Sequence, residues 1–142
     1  MRIALEEAQK AYDKREVPIG AVIVCEDEVI ARAHNTREAS NQAINHAEIL
    51  AISEANEKLK SWRLDTCTLY VTIEPCPMCA GAILQSRIKK IVYGASDLKA
   101  GAHKSKLNLF EIDFNHKTEV VSGVLEEESK NMMQEFFKEL RK

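Results

Sequence analysis

Between Cys67 and Tyr93 the chain reads as strand, helix, strand, and that unit constrains the fold more than any other feature. Cys67 to Ile73, CTLYVTI, is rich in β-branched and aromatic residues. Pro77 suits the first position of a helix, where no amide hydrogen is needed, and the helix runs to about Ser86. Lys90-Ile91-Val92-Tyr93 is the next strand. Two strands joined this way should run parallel with a right-handed crossover. The flanks extend the alternation. Residues 2–15 read as an amphipathic helix, ended near Val17-Pro18 because the residue before proline is pushed out of the α region. Ile19 to Val24 and Val29 to Ala33, turned by Glu26-Asp27, form a hairpin. Residues 47–58 carry Ile49, Leu50, Ile52 and Ala55 at helical spacing. A looser stretch of about 25 residues follows Tyr93, then a strand from Glu119 to Val124 and a helix from Glu126 to Arg141. The expectation is an α/β fold, a three-layer α/β/α sandwich on a central mixed five-stranded sheet. At 142 residues without repeats or linkers, residues 1–142 are expected to form one domain.

Composition excludes several classes. Hydrophobic residues at 45% and charged residues at 30% fit a soluble globular protein rather than a disordered chain. The apolar runs, such as Ile19 to Cys25, are too short to span a bilayer, so no membrane partner is expected. No charged-then-apolar leader precedes the first helix, so no secretion signal is expected and the chain is assigned to the cytoplasm. There, Cys76 and Cys79 at C-x-x-C spacing point to metal or redox chemistry rather than to disulfides. The net charge of −2 does not advertise nucleic acid. Its distribution is more informative: Ser86 to Lys106 holds Arg87, Lys89, Lys90, Lys99, Lys104 and Lys106 against the single acid Asp97. Such a stripe can bind phosphates, or it can be an ordinary solvated face.

The residues that carry chemistry are His46-Ala47-Glu48 and Pro75-Cys76-Pro77-Met78-Cys79. Thiolates and neutral imidazole are ligands that zinc prefers, and three of them leave one tetrahedral position open. A helix opening at Pro77 can aim both sulfurs to one side, and its positive end favours the thiolate. His46 begins the preceding helix, and a crossover fold can bring the two helix starts together. Residues two apart do not share a face of a regular helix, so spacing alone does not place Glu48 in the same pocket. If the first turn does aim Glu48 at the open position, it is a base beside a metal-activated water. Alone, C-x-x-C could be redox-active or half of a structural zinc site, with Cys67 or Cys25 as the fourth ligand. Both of those cysteines lie in apolar strand runs, where a small buried hydrophobe is the ordinary role.

H-x-E followed by P-C-x-x-C is the signature of zinc nucleobase deaminases. The surrounding blocks are VPIGA from Val17, Ala33-His34-Asn35, HAEILAI from His46, SWRL from Ser61, TIEPCPMCAGAI from Thr72, Val92-Tyr93-Gly94, Asn115-His116 and Gly123-Val124-Leu125. In this order they resemble the tRNA adenosine deaminase family over nearly the whole chain. The resemblance implies the cytidine deaminase-like fold, a homodimer, one zinc ion per subunit, and conversion of the wobble adenosine in a tRNA anticodon stem-loop to inosine. It assigns His46, Cys76 and Cys79 to the metal and Glu48 to the proton shuttle. Asn35 matches an asparagine that hydrogen-bonds the target nucleoside, although on sequence alone a turn after the second strand is the favoured reading. Asp97 and Lys99 match a loop that meets the anticodon RNA. Phe136-Phe137 fall in a helix that flanks it, where core packing is an equal reading, and Met78 reads as a packing residue.

The chain departs from the family pattern in places. Ala43-Ile44-Asn45 precedes His46 where proline-threonine-alanine is common, and Ser129 stands where a cysteine often follows the late acidic pair. Two competing functions remain. A deaminase of the same fold acting on free guanine, cytosine or a nucleotide would share the catalytic residues. A noncatalytic zinc-stabilised RNA-binding module would need a fourth protein ligand and no carboxylate base.

Overall fold

The computed structural model describes residues 1–141. Its centre is a five-stranded sheet in the order β2-β1-β3-β4-β5. Strands β1 (Gly20–Cys25) and β2 (Glu28–His34) form the expected hairpin, and β1 pairs antiparallel with β3 (Cys67–Ile73) on its other side. β3 pairs parallel with β4 (Lys90–Ala95), and β4 pairs parallel with β5 (Glu119–Val121), so the sheet is mixed. The parallel pair is the one that the strand-helix-strand reading requires.

Helices cover both faces. α1 (Arg2–Asp13) packs on β1, β2 and β3, and α5 (Glu126–Leu140) packs on β3 and β4. These two meet through Tyr12 and Phe136, whose rings lie edge to face at 5.7 Å. On the other face α3 (Ala47–Leu59) contacts β1, β2, β3 and α4 (Pro77–Gln85). Strand alternation sorts the two layers. Ala21, Ile23, Leu69, Val71, Ile91 and Tyr93 join Ala51, Ala55, Ala80 and Ile83 of α3 and α4 in the main core. Gly20 faces α1, and a Cβ there would collide with the Ala4 carbonyl oxygen and the Ala8 amide, so only glycine lets that helix lie so close.

Three differences from the sequence reading stand out. A single-turn helix α2 (Arg37–Ser40) precedes α3. It is too short to show periodicity, and its N-terminus is held by a distant carboxylate that local sequence does not reveal. β5 stops at Val121, because Gly123 at φ 81° turns the chain and its amide bonds Gly94 O outside the ladder. Met78 is 36% exposed, since the first turn of α4 turns inward through Cys79 and Ala80 and leaves it outside the core.

Candidate active site

The turns that open α3 and α4 converge. His46 is the N-cap of α3 and Cys76 the N-cap of α4, both with extended backbone before Pro77 and Ala47 begin helical geometry. Cys79 lies one turn into α4 and is fully buried. The His46 Nδ1 atom stands 3.6 Å from Cys76 Sγ and 3.4 Å from Cys79 Sγ. All three ligand atoms lie within 4.8 Å of one another. Ligands at ordinary zinc–sulfur and zinc–nitrogen distances around a tetrahedral ion would be separated by about 3.5 Å from N to S. The group is therefore the right size for such an ion.

Electrostatics agree with that geometry. The Cys76 thiol is brought down to about 4, chiefly by the Cys79 thiol hydrogen-bonding to it, with His46 adding to the effect against the opposing cost of burial. Cys79 is pushed up, first by the neighbouring Cys76 sulfur and then by burial. His46 is raised by its hydrogen bond to Cys76. A bound cation would favour the thiolate form of both cysteines and displace the proton that either carries.

Glu48 answers the question that spacing left open. Because His46 precedes the helix rather than belonging to it, the second helical residue turns back toward the same pocket. Its carboxyl is 4% exposed and lies against the Cys79 thiol, within electrostatic reach of Cys76 and His46. Burial pushes it up to about 7. A carboxyl raised from the ordinary carboxylate range toward neutrality is suited both to take and to give a proton.

Beside His46 is a recess of about 120 Å³ walled by Val17, Ile19, Asn35, Arg37 and Ala47. Asn35 is buried; its Nδ2 donates to Val17 O at 3.3 Å and its Oδ1 accepts from Arg37 N at 3.0 Å. The turn reading of Asn35 thus holds, yet each end keeps one unused hydrogen-bonding position. Val17 and Ile19 also wall a larger groove of about 590 Å³, with Asp97, Leu98, Lys99 and Phe137 around it and Lys130 and Arg141 on the α5 side. Asp97 Oδ1 accepts from Lys99 N and Ala100 N, which shapes the loop and leaves Lys99 exposed. The two phenylalanines divide: Phe136 is buried against Tyr12, while Phe137 is 39% exposed and lines the groove.

Cys67 and Cys25 do not join the metal group. They are register partners on β3 and β1, Cys67 fully buried and Cys25 Sγ 3.0 Å from Thr66 Oγ1. Sequence reasoning missed Glu16 and Arg37. Glu16 is 2% exposed and accepts from Glu38 N and Ala39 N at 3.0 and 2.7 Å, fixing α2 and with it the Asn35 turn. The only available signal was an acid beside Val17-Pro18. The unusual Ala43-Ile44-Asn45 segment is tied to the same turn, since Asn45 O accepts from Thr36 N and Asn45 Nδ2 donates to Ser40 Oγ.

A mixed sheet that presents two helix N-termini with His, Cys, Cys and a buried glutamate defines a deaminase. The family model of the MafB19-like deaminases matches residues 1–141. The tRNA-specific adenosine deaminase of Bacillus subtilis is 57% identical over 143 residues, covering all of this chain and 89% of that one. A solved tRNA:A34 deaminase, studied for A-to-I editing at the wobble position of transfer RNA, is 45% identical with a TM-score of 0.90 over 93% of this chain and 96% of that one. Guanine deaminase from Nitrosomonas europaea shares the fold, with a TM-score of 0.82 at 24% identity over 94% of this chain and 80% of that one. The chain belongs to the tRNA-specific adenosine deaminase family.

Proposed function

We propose that this single-domain chain is a cytoplasmic hydrolase that deaminates the wobble adenosine of a tRNA anticodon loop, leaving inosine and releasing ammonia. The observation that carries the reading is the buried Glu48 carboxyl set against a His46, Cys76 and Cys79 group of tetrahedral size. Those three residues would hold one zinc ion. Zinc, when bound, brings the pKa of a coordinated water toward neutrality.

The chain's own residues account for the proton movements. Glu48 takes a proton from the water that adds to C6 of adenine and passes it to ring nitrogen N1. It then delivers a proton to the departing amine, so that one water is consumed and one ammonia leaves. Asn35 offers its free donor and acceptor positions to the target nucleoside in the recess beside His46. Asp97 and Lys99 meet the RNA along the adjoining groove, where Lys130 and Arg141 supply further positive charge. A base stacked in a helix is out of reach of so recessed a glutamate, which favours a loop nucleotide splayed outward.

Against a closed structural site, Cys67 and Cys25, which might complete it, are free thiols opposite each other on β3 and β1, outside the His46, Cys76 and Cys79 group. A homodimer is proposed through the outer side of α4. Trp62 and Phe114 stay exposed there, linked by Arg87, which stacks on the Trp62 ring and lines a cavity with Phe114. No helix among the described residues is long and apolar enough to cross a membrane. The test is to incubate the purified protein with an adenosine-wobble tRNA stem-loop. Inosine and ammonia should appear in equal amounts, vanish after chelation and return with zinc. Inosine formation that survives complete metal removal would overturn the mechanism.

A further inference from the structure

Glu74 is a buried carboxylate that the chemistry above does not use. It follows the last residue of β3, its amide donates to Ala95 O at 2.8 Å, and it is 2% exposed. No cation pairs with it among the described residues. Its five partners all come from one irregular segment, residues 97–105. Oε1 accepts from Asp97 N at 3.0 Å and from Ser105 Oγ at 2.6 Å. Oε2 accepts from the amides of His103, Lys104 and Ser105 at 2.9, 2.9 and 3.2 Å. Gly101 lies flat on the carboxylate, and a Cβ there would collide with Cδ and both oxygens. Ala102 N closes the wrap by donating to Pro75 O at 2.9 Å.

Apart from these bonds, the segment is anchored at its middle, where Ala102 enters the core and His103 Nδ1 lies 2.7 Å from Tyr93 Oη. It forms no ladder with the sheet, and the part from Asp97 to Ala100, which carries the exposed Leu98 and Lys99, buries no apolar side chain of its own. A carboxylate surrounded by backbone N–H groups is a strong local template, and it is satisfied here without a counter-charge. Glu74 also stands two residues before Cys76. The same residue therefore joins the turn that offers Cys76 to the loop that offers Asp97 and Lys99.

We propose that Glu74 is a positioning residue for RNA binding: its carboxylate holds the 97–105 loop in register with the Cys76–Cys79 turn. The proposal rests on the RNA-substrate reading above. An RNA that spans the recess and the groove must meet both at a fixed separation, and displacements of about 1 Å in such an arrangement are costly. Glu74 acts on binding through the loop and touches neither substrate nor metal.

The test compares wild type, Glu74→Gln, Ser105→Ala and Gly101→Ala. Each is measured for KM and kcat on an adenosine-wobble stem-loop, for metal per chain, and for amide hydrogen exchange. Glu74→Gln replaces one acceptor oxygen with a donor and should raise KM about tenfold or more, with kcat within about threefold and metal content unchanged. Exchange at the amides of Asp97 and residues 103–105 should quicken while β3 and β4 stay protected. Gly101→Ala should act in the same direction by forcing the loop off the carboxylate, and Ser105→Ala more weakly because four of the five bonds remain. Quickened exchange with an unchanged KM would overturn the positioning role. So would a parallel fall in metal content and kcat, which would make Glu74 a support of the cysteine turn. A wild-type protein inactive on the stem-loop would instead refute the RNA reading itself.

Discussion

At the scale of single residues, one proton carrier and three ligands bear the chemistry, and each has a separable signature. Glu48→Ala should keep the fold and the metal while lowering kcat by roughly 10²–10⁴-fold, the usual contribution of a positioned acid–base group. Turnover within about tenfold of wild type, read by inosine formation, would contradict the role. Cys67→Ser should bind as much metal as wild type by elemental analysis, because the Cys67 thiol lies opposite Cys25 on β1 and outside the metal group; a large loss would restore the closed-site reading. Ser129 shows what a departure from the family pattern does. Its hydroxyl is buried between α5 and Gly94 with no hydrogen-bond partner, a condition that costs about 1–3 kcal/mol. Ser129→Ala should therefore raise stability by about 1 kcal/mol in a denaturant titration, and a destabilised variant would show that the hydroxyl is satisfied in solution. The ligand types were legible from the sequence. The aim of Glu48 was not, because it depends on His46 being a cap rather than a helical residue.

At the scale of elements, α1 shows how a helix is fixed to a sheet by charge as well as by packing. Glu7 is buried on its inner face. It accepts from Lys10 Nζ at 2.7 Å and Arg32 Nε at 3.0 Å, and lies 3.1 Å from His34 Nδ1. Burial alone would raise its carboxyl. The bonds from Lys10, His34 and Arg32 outweigh it and hold the group below the ordinary 4.5. A carboxylate lowered in the folded state contributes stability that is complete above its unfolded value and lost as pH falls through its folded value. Glu7→Gln should thus lower stability near neutrality and flatten its decline below about pH 4.5. Equal acid slopes for the two proteins, measured by urea unfolding at several pH values, would refute the assignment. Strands and long helices were readable here because periodicity and Pro77 speak locally. α2 was not, because Glu16, which holds its amides, sits 22 and 23 residues away.

At the scale of the whole molecule, the parallel β3–β4 pair and the antiparallel hairpin together bring α3 and α4 to one side of the sheet with their N-termini adjoining. The sequence marked two helix starts bearing metal-ligand residues, and topology makes them one site. The basic stripe was legible as charge but not as shape. Lys99 borders the groove, whereas Lys104 reaches Ser122 and Lys90 on β4 pairs with Glu119 on β5, so the stripe is divided among surfaces. The central claim is that this site serves a loop nucleotide of RNA rather than a free base, because remote contacts along the groove orient the reacting carbon. One measurement tests it most directly: turnover of an adenosine-wobble stem-loop, free adenosine, guanine and cytosine by one preparation under one set of conditions. The stem-loop should be converted to inosine with the highest kcat/KM and the free compounds should be poor substrates. Efficient consumption of guanine or cytosine with the stem-loop untouched would contradict the claim.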